Sequence, residues 1–128
     1  LQIMYRYKFM TGAILPYEKN MPIIASDAFV ATNATIIGNV VVGAESSIWF
    51  NCLLRGDVNE IHVGMRTNIQ DGSIVHVSGQ GQGTYIGNDI TIGHMALIHA
   101  CTLDDGCFIG MNATVMDECV IETGAGPG

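Results

Sequence analysis

Three histidines, His76, His94 and His99, lie close together in the sequence and could bind a metal ion. Neutral imidazole is the commonest metal ligand among protein side chains. Three imidazoles hold Zn²⁺ at about 2.0–2.1 Å and leave a fourth position open, which is typical of catalytic zinc sites. The fourth histidine, His62, directly precedes an aliphatic residue beside a predicted loop, and we expect it to be an ordinary surface residue. The first three histidines are therefore the candidate ligands.

The elements that would position these histidines follow a period of six residues. A branched aliphatic residue occupies sixteen positions of one register, which is interrupted only three times. These positions are Ile24, Val30, Ile36, Val42, Ile48, Leu54, Val63, Ile69, Val75, Ile86, Ile92, Ile98, Leu103, Ile109, Val115 and Ile121. A period of six indicates short strands joined by turns, since it is neither the helix period nor a simple strand alternation. Glycine follows the periodic residue at five places, where we expect the backbone to bend: Gly43, Gly64, Gly87, Gly93 and Gly110.

The pattern resembles the hexapeptide repeat of left-handed parallel β-helices, which are three-faced prisms with three hexapeptides in each coil. This resemblance implies one all-β domain over residues 1–128, with the repeat from about 24 to 121 and residues 1–23 as a strand or loop that leads into it. Extra residues at the interruptions should leave the prism as loops, including the glycine-rich SGQGQGT after His76. Relatives usually continue with further coils and a C-terminal helix, whereas this sequence ends at IETGAGPG.

The register also predicts which polar residues stack. Counting three faces per coil places Arg55, His76 and His99 at one corner of successive coils, which lie about 4.7–4.9 Å apart. Two imidazoles with that spacing can share one metal ion. The same count stacks Asp71 beneath His94, but on a different edge of the prism.

The two edges together predict an assembly. One prism cannot easily bring all three imidazoles to a point, whereas a threefold trimer can place one edge of each chain against another edge of its neighbour. We therefore predict a homotrimer in which His76 and His99 of one chain and His94 of the next share the metal.

Two segments resemble γ-class carbonic anhydrases and their hexapeptide-repeat relatives: SSIWFNCLLRGDVNEIHVGMRTNIQDGSIVHVSG and ITIGHMALIHACTL. The combination of R-G-D, N-x-Q-D-G and G-H-x4-H carries the resemblance, which extends from about Ile24 to Ile121. It implies that His76, His94 and His99 are zinc ligands. It further implies that Arg55 and Asp57 pair across a subunit interface and that Gln70 hydrogen-bonds the metal-bound water. Asn68 and Asp71 match other polar positions that order the site.

The activity implied by the resemblance is reversible hydration of CO2 to bicarbonate. Zinc held by neutral imidazoles keeps its charge, so its bound water has a pKa near 7 and becomes hydroxide. Fe²⁺ or Co²⁺ would satisfy the same ligands. The archetypal enzyme has glutamates after R-G-D and in the loop behind the first histidine, where this chain has Val58 and SGQGQG. Glu60 is the only acid nearby, so we expect slow proton export and slow hydration.

Two other functions fit parts of this pattern. One is a non-catalytic trimeric scaffold in which the metal only clamps the interface, and the missing glutamates favour it. The other is a hexapeptide-repeat acyltransferase, in which one histidine is the general base and acyl-CoA lies between chains. The convergence of three histidines disfavours the acyltransferase, because that chemistry needs a single unpaired histidine.

Composition excludes other classes of partner. The formal net charge of −7 argues against the nucleic-acid backbone and against anionic membranes as partners. No apolar run approaches the roughly 18 residues of a membrane span, and no secretory signal is evident, so we predict a cytoplasmic protein with CO2 or bicarbonate as its small ligand. Its four cysteines have no C-x-x-C spacing and are expected to be buried, reduced thiols.

Overall fold

The computed structural model describes residues 11–126, which form fifteen β-strands and no α-helix. In chain order the strands are β1 (Ala13–Leu15), β2 (Ile23–Ile24), β3 (Phe29–Val30), β4 (Thr35–Val42), β5 (Ser47–Ile48), β6 (Leu53–Val63), β7 (Asn68–Ile69), β8 (Ile74–His76), β9 (Thr84–Ile86), β10 (Thr91–Ile92), β11 (Leu97–His99), β12 (Thr102–Leu103), β13 (Phe108–Ile109), β14 (Thr114–Val115) and β15 (Val120–Ile121). Residues 1–10 of the predicted lead-in lie outside the described part, and its remainder contains β1 and the first residue of β2.

All the strand pairs are parallel, and they form the three faces of a left-handed β-helix. The first face is a five-stranded sheet in the order β13-β10-β7-β5-β3. The second face consists of β1, the first half of β4, the first half of β6, β8, β11 and β14. The third contains β2, the second halves of β4 and β6, β9, β12 and β15. The predicted fold is therefore confirmed.

The periodic aliphatic residues form the core of the prism. Fourteen of the sixteen are buried, from Val30 to Val115, and only Ile24 and Ile121 at the two ends are partly exposed. Burying each of these side chains contributes about 1.5–3 kcal/mol, so the repeated position is the main apolar source of stability in every coil. The register read from the sequence is thus the register of the structure.

Glycine after the periodic residue has a different role from the predicted one. None of the five glycines has a positive φ, so they do not form the bends. Gly43 and Gly64 are instead required by close stacking, because a Cβ on either would lie 2.6 Å from the carbonyl oxygen of the glycine in the next coil. The bend comes two residues later, where Glu45 after Gly43 and Arg66 after Gly64 lie in the left-handed region.

The cysteine prediction is correct for three of the four thiols. Cys52, Cys101 and Cys107 are free and buried, and burial raises the pKa of Cys52 and of Cys101 to about 11. Cys119 is also free, but it is exposed because it lies on the last described coil, outside the aliphatic core. Within residues 11–126 no helix is long and apolar enough to cross a membrane.

Candidate metal centre

One edge of the prism carries two stacked histidines. β8 and β11 pair in register, so that His76 and His99 are directly opposite one another at the ends of their strands. Their ring centroids lie 5.2 Å apart in an edge-to-face arrangement. Both side chains are mostly buried, with 20% and 24% of their surface exposed. The stacking predicted from the register is therefore present, and we call this corner the paired-histidine edge.

Asp57 connects the R-G-D segment to this edge. Arg55 Nη1 donates to Asp57 Oδ2 at 2.5 Å, and His76 Nε2 lies 3.0 Å from Asp57 Oδ1, which also accepts the Val58 amide at 2.8 Å. Burial of Asp57 would raise its pKa, but these hydrogen bonds from His76, Val58 and Arg55 outweigh burial and lower it to about 2. Arg55 and Asp57 thus pair within one chain, and their pairing across an interface remains a prediction.

Asp117 also contacts this edge, and the sequence motifs did not identify it. Its Oδ1 lies 2.6 Å from His99 Nδ1. The repeat is interrupted between Ile98 and Leu103, and Val115 is opposite Ile98, so counting by the register places Met116 rather than Asp117 one coil beyond His99. It was missed because the family motifs end before residue 117.

His94 lies on a different edge, where the first face meets the second. It follows β10, and its Nδ1 is 3.1 Å from Asp71 Oδ1 in the turn after β7. The side chains of His94 and Asp71 are 49% and 44% exposed. We call this corner the single-histidine edge. The predicted stacking of Asp71 and His94 is present.

The amide residues of the predicted site lie on the first face and at the single-histidine edge. Asn68, in β7, donates through Nδ2 to Ser47 Oγ at 2.8 Å, and so it fastens two neighbouring coils. Gln70 lies two residues further on, directly before Asp71, and is partly exposed. Its backbone amide donates to the carbonyl of Ile92, which keeps this edge in register with the strand before His94.

The structure does not bring the three candidate ligands to one point within a chain. Across the described range 11–126, no group of three or more His, Cys, Asp or Glu side chains is arranged to hold a metal ion. The rings of His76 and His99 are neighbours, with centroids 5.2 Å apart, but they are only two of the three candidate imidazoles. The roles of all eight predicted site residues as ligands or catalytic groups stay predictions.

A separate polar cluster lies on the third face around Glu60. The Tyr85 hydroxyl donates to Glu60 Oε2 at 2.7 Å, and His62 Nε2 lies 3.3 Å from Glu60 Oε1. The Tyr85 hydrogen bond and the nearby His62 lower the pKa of Glu60, although partial burial opposes them. His62 is exposed and belongs to this cluster rather than to either edge described above.

Two curated proteins are similar to most of the chain. Gamma carbonic anhydrase 1, mitochondrial, of Arabidopsis thaliana is 53% identical over 106 residues, which are 79% of this chain and 38% of that protein. A carbonic anhydrase of Geobacillus kaustophilus is 42% identical over 111 residues, which are 87% of this chain and 60% of the bacterial protein. The chain therefore spans less than two thirds of the length of either protein. No protein-family model matches the sequence.

A solved structure shares the fold as well. The crystal structure of a hexapeptide transferase family protein from Anaplasma phagocytophilum superposes with a TM-score of 0.78 at 42% sequence identity. The match covers 88% of this chain and 73% of that one. The sequence matches are thus named as carbonic anhydrases, whereas the structural match is named as a hexapeptide transferase family protein.

Proposed function

Because the chain belongs to the γ-carbonic-anhydrase-like family of hexapeptide-repeat proteins, we propose that it hydrates CO2 reversibly to bicarbonate at a metal site shared between chains. The observation that carries this proposal is the stacked pair of imidazoles with ring centroids 5.2 Å apart. His94 lies on another edge of the same prism, which fits a third ligand that comes from a neighbouring chain in a homotrimer.

The chemistry of the donor set fits zinc. Three neutral imidazoles, His76 and His99 of one chain and His94 of another, are a known ligand set for this ion. When bound, Zn²⁺ would supply its charge and an open position at which the pKa of water falls to near 7. Fe²⁺ and Co²⁺ accept the same donors, and metal analysis would distinguish the three.

The chain's other residues would hold the ligands and attract the product. Asp57 fixes the ring of His76, because an ionised carboxylate accepts the proton of one ring nitrogen and so leaves the other nitrogen unprotonated. Asp71 Oδ1 lies 3.1 Å from His94 Nδ1 without a hydrogen bond between them, so at His94 the carboxylate would act mainly through its charge. The Arg55 guanidinium is 45% exposed beside Asp57, so it presents a positive charge to the bicarbonate anion. Gln70 would orient the attacking oxygen, since its amide can both donate and accept.

Proton export is the weak step in this proposal. Glu60 is already hydrogen-bonded to Tyr85 and His62, and its lowered pKa makes it a poor proton acceptor near neutral pH. Val58, in the position where the archetypal enzyme has a glutamate, is apolar and 51% exposed. We therefore propose that hydration is slow in buffers that cannot carry protons and accelerates when imidazole is added.

Metal analysis of protein purified without chelator, combined with stopped-flow CO2 hydration, tests the proposal. We expect about one zinc per chain in the wild type and in the control variant His62→Ala, and loss of both zinc and hydration in His99→Ala. A His99→Ala variant that keeps its zinc and its activity would contradict the metal centre.

The same experiment distinguishes the two alternatives. Zinc without hydration in any buffer would identify a metal-clamped scaffold. The hydrogen bonds of Glu60 to Tyr85 and His62 favour this alternative, because they leave Glu60 a poor proton acceptor. The relative from Anaplasma phagocytophilum is described as a hexapeptide transferase family protein, and a metal-free assembly that binds acyl-CoA would place this chain with that activity. The cytoplasmic location stays a prediction, since the Arabidopsis relative is named as mitochondrial.

A further inference from the structure

Among the three histidine–aspartate contacts, the one between His99 and Asp117 is the shortest. Its Nδ1–Oδ1 distance is 2.6 Å, against 3.0 Å for His76 with Asp57 and 3.1 Å for His94 with Asp71. Asp57 divides its two oxygens among His76, Arg55 and the Val58 amide. Within residues 11–126, His99 is the only hydrogen-bonding partner of the Asp117 side chain. The Asp117 carboxylate thus hydrogen-bonds a single imidazole.

We propose that Asp117 is a positioning residue for His99, an inference that rests on the proposed metal centre. An ionised carboxylate can only accept hydrogen bonds, so the proton of the neutral imidazole must be on Nδ1. The lone pair is then on Nε2, which becomes the nitrogen available to a metal ion. A carboxylate in this position fixes the ring orientation and increases the basicity of the free nitrogen.

The contact also fixes where His99 lies between coils. His99 ends β11, whereas Asp117 follows β14 on the next coil, so their hydrogen bond joins two levels of the prism. His76 lies on the coil before His99, with its ring 5.2 Å away. Asp117 therefore holds His99 from the side opposite to the imidazole with which it would share the ion.

Zinc affinity is the first measurement, made by competition with a chromophoric chelator on the full chain. Asp117→Ala should bind zinc about 10–100-fold more weakly than the wild type, the usual effect of removing a carboxylate behind a histidine ligand. Glu118→Ala is the matched control, because it removes the same charge from the adjacent exposed residue, and it should leave the affinity unchanged. Asp117→Glu should recover part of the lost affinity, because it keeps the carboxylate.

The second measurement is the tautomer of His99 in the metal-free protein, read from long-range ¹H–¹⁵N NMR spectra of the imidazole rings. The wild type should show a proton on Nδ1 of His99, and Asp117→Ala should show a mixture of tautomers. Unchanged denaturant unfolding would confirm that the variant is folded. In Asp117→Ala, a zinc affinity within twofold of wild type would overturn the proposal, and so would an unchanged Nδ1–H tautomer of His99.

Failure of this proposal can be distinguished from failure of the proposed function. If the wild type binds no zinc, the metal centre is wrong, and the NMR tautomer still decides whether Asp117 positions His99. If His99→Ala abolishes zinc binding while Asp117→Ala does not weaken it, the metal centre stands and the role of Asp117 is refuted.

Discussion

The two edges that carry the candidate ligands differ in how firmly contacts within one chain hold their side chains. At the paired-histidine edge, Asp57 is 14% exposed and contacts both Arg55 and His76. At the single-histidine edge, His94 and Asp71 are about half exposed and contact each other. The first edge is therefore preorganised by its own coils. The second keeps an open surface, which the proposed sharing of His94 with a neighbouring chain would need.

The largest expected difference in the free energy of unfolding is between Asp57→Asn and Asp71→Asn. The first substitution replaces a largely buried carboxylate that accepts from Arg55, His76 and the Val58 amide, and it should lower the free energy of unfolding by about 1–3 kcal/mol. The second affects an exposed pair and should change it by no more than about 0.5 kcal/mol. Urea unfolding of both variants measures the difference. Equal losses would show that the two edges are not organised differently.

A smaller effect on stability is expected at Glu60. This residue lies on neither edge, so its hydrogen bond shows how much an exposed contact contributes elsewhere on the prism. Tyr85→Phe removes the donor that lowers the pKa of Glu60, and near pH 7 it should cost about 0.5 kcal/mol. A lowered pKa stabilises the fold above the unfolded value, near 4.3 for Glu, and this contribution disappears as the pH falls through the folded value. The stability gap between wild type and Tyr85→Phe should therefore close below about pH 4. A gap that persists at pH 3 would exclude the ionised carboxylate as its source.

The sequence predicted the interior of this molecule better than its corners. The aliphatic period fixes which face each residue occupies, and the stacking of His76 with His99 and of Asp71 with His94 follows by counting. The corners depend on backbone conformation, and residues as different as Asn51 and Gly72 adopt the same left-handed turn. A six-residue period contains no information about which residue takes that conformation.

The candidate site was predicted in its stacking but not in its hydrogen bonds. The register aligns Met116 rather than Asp117 with His99, and no family motif includes Asp117, so its contact with His99 emerged only from the structure. The pairing of Arg55 with Asp57 inside one chain agrees with the strand alternation, which puts side chains two residues apart on the same side, whereas the family resemblance implied only a pairing across an interface. How neighbouring chains are arranged cannot be deduced from the repeat pattern of one chain.

The shared site is the central claim, and a mixture of two inactive variants tests it most directly. His94→Ala and His99→Ala are each expected to bind no zinc alone, because each lacks one ligand of every site. If the sites lie between chains of a trimer, random mixing of the two variants by co-expression or refolding should restore about one quarter of the wild-type zinc content, since one in four neighbouring pairs combines the intact ligands. A mixture that holds no zinc, beside a wild type that holds one per chain, would contradict a site shared between chains.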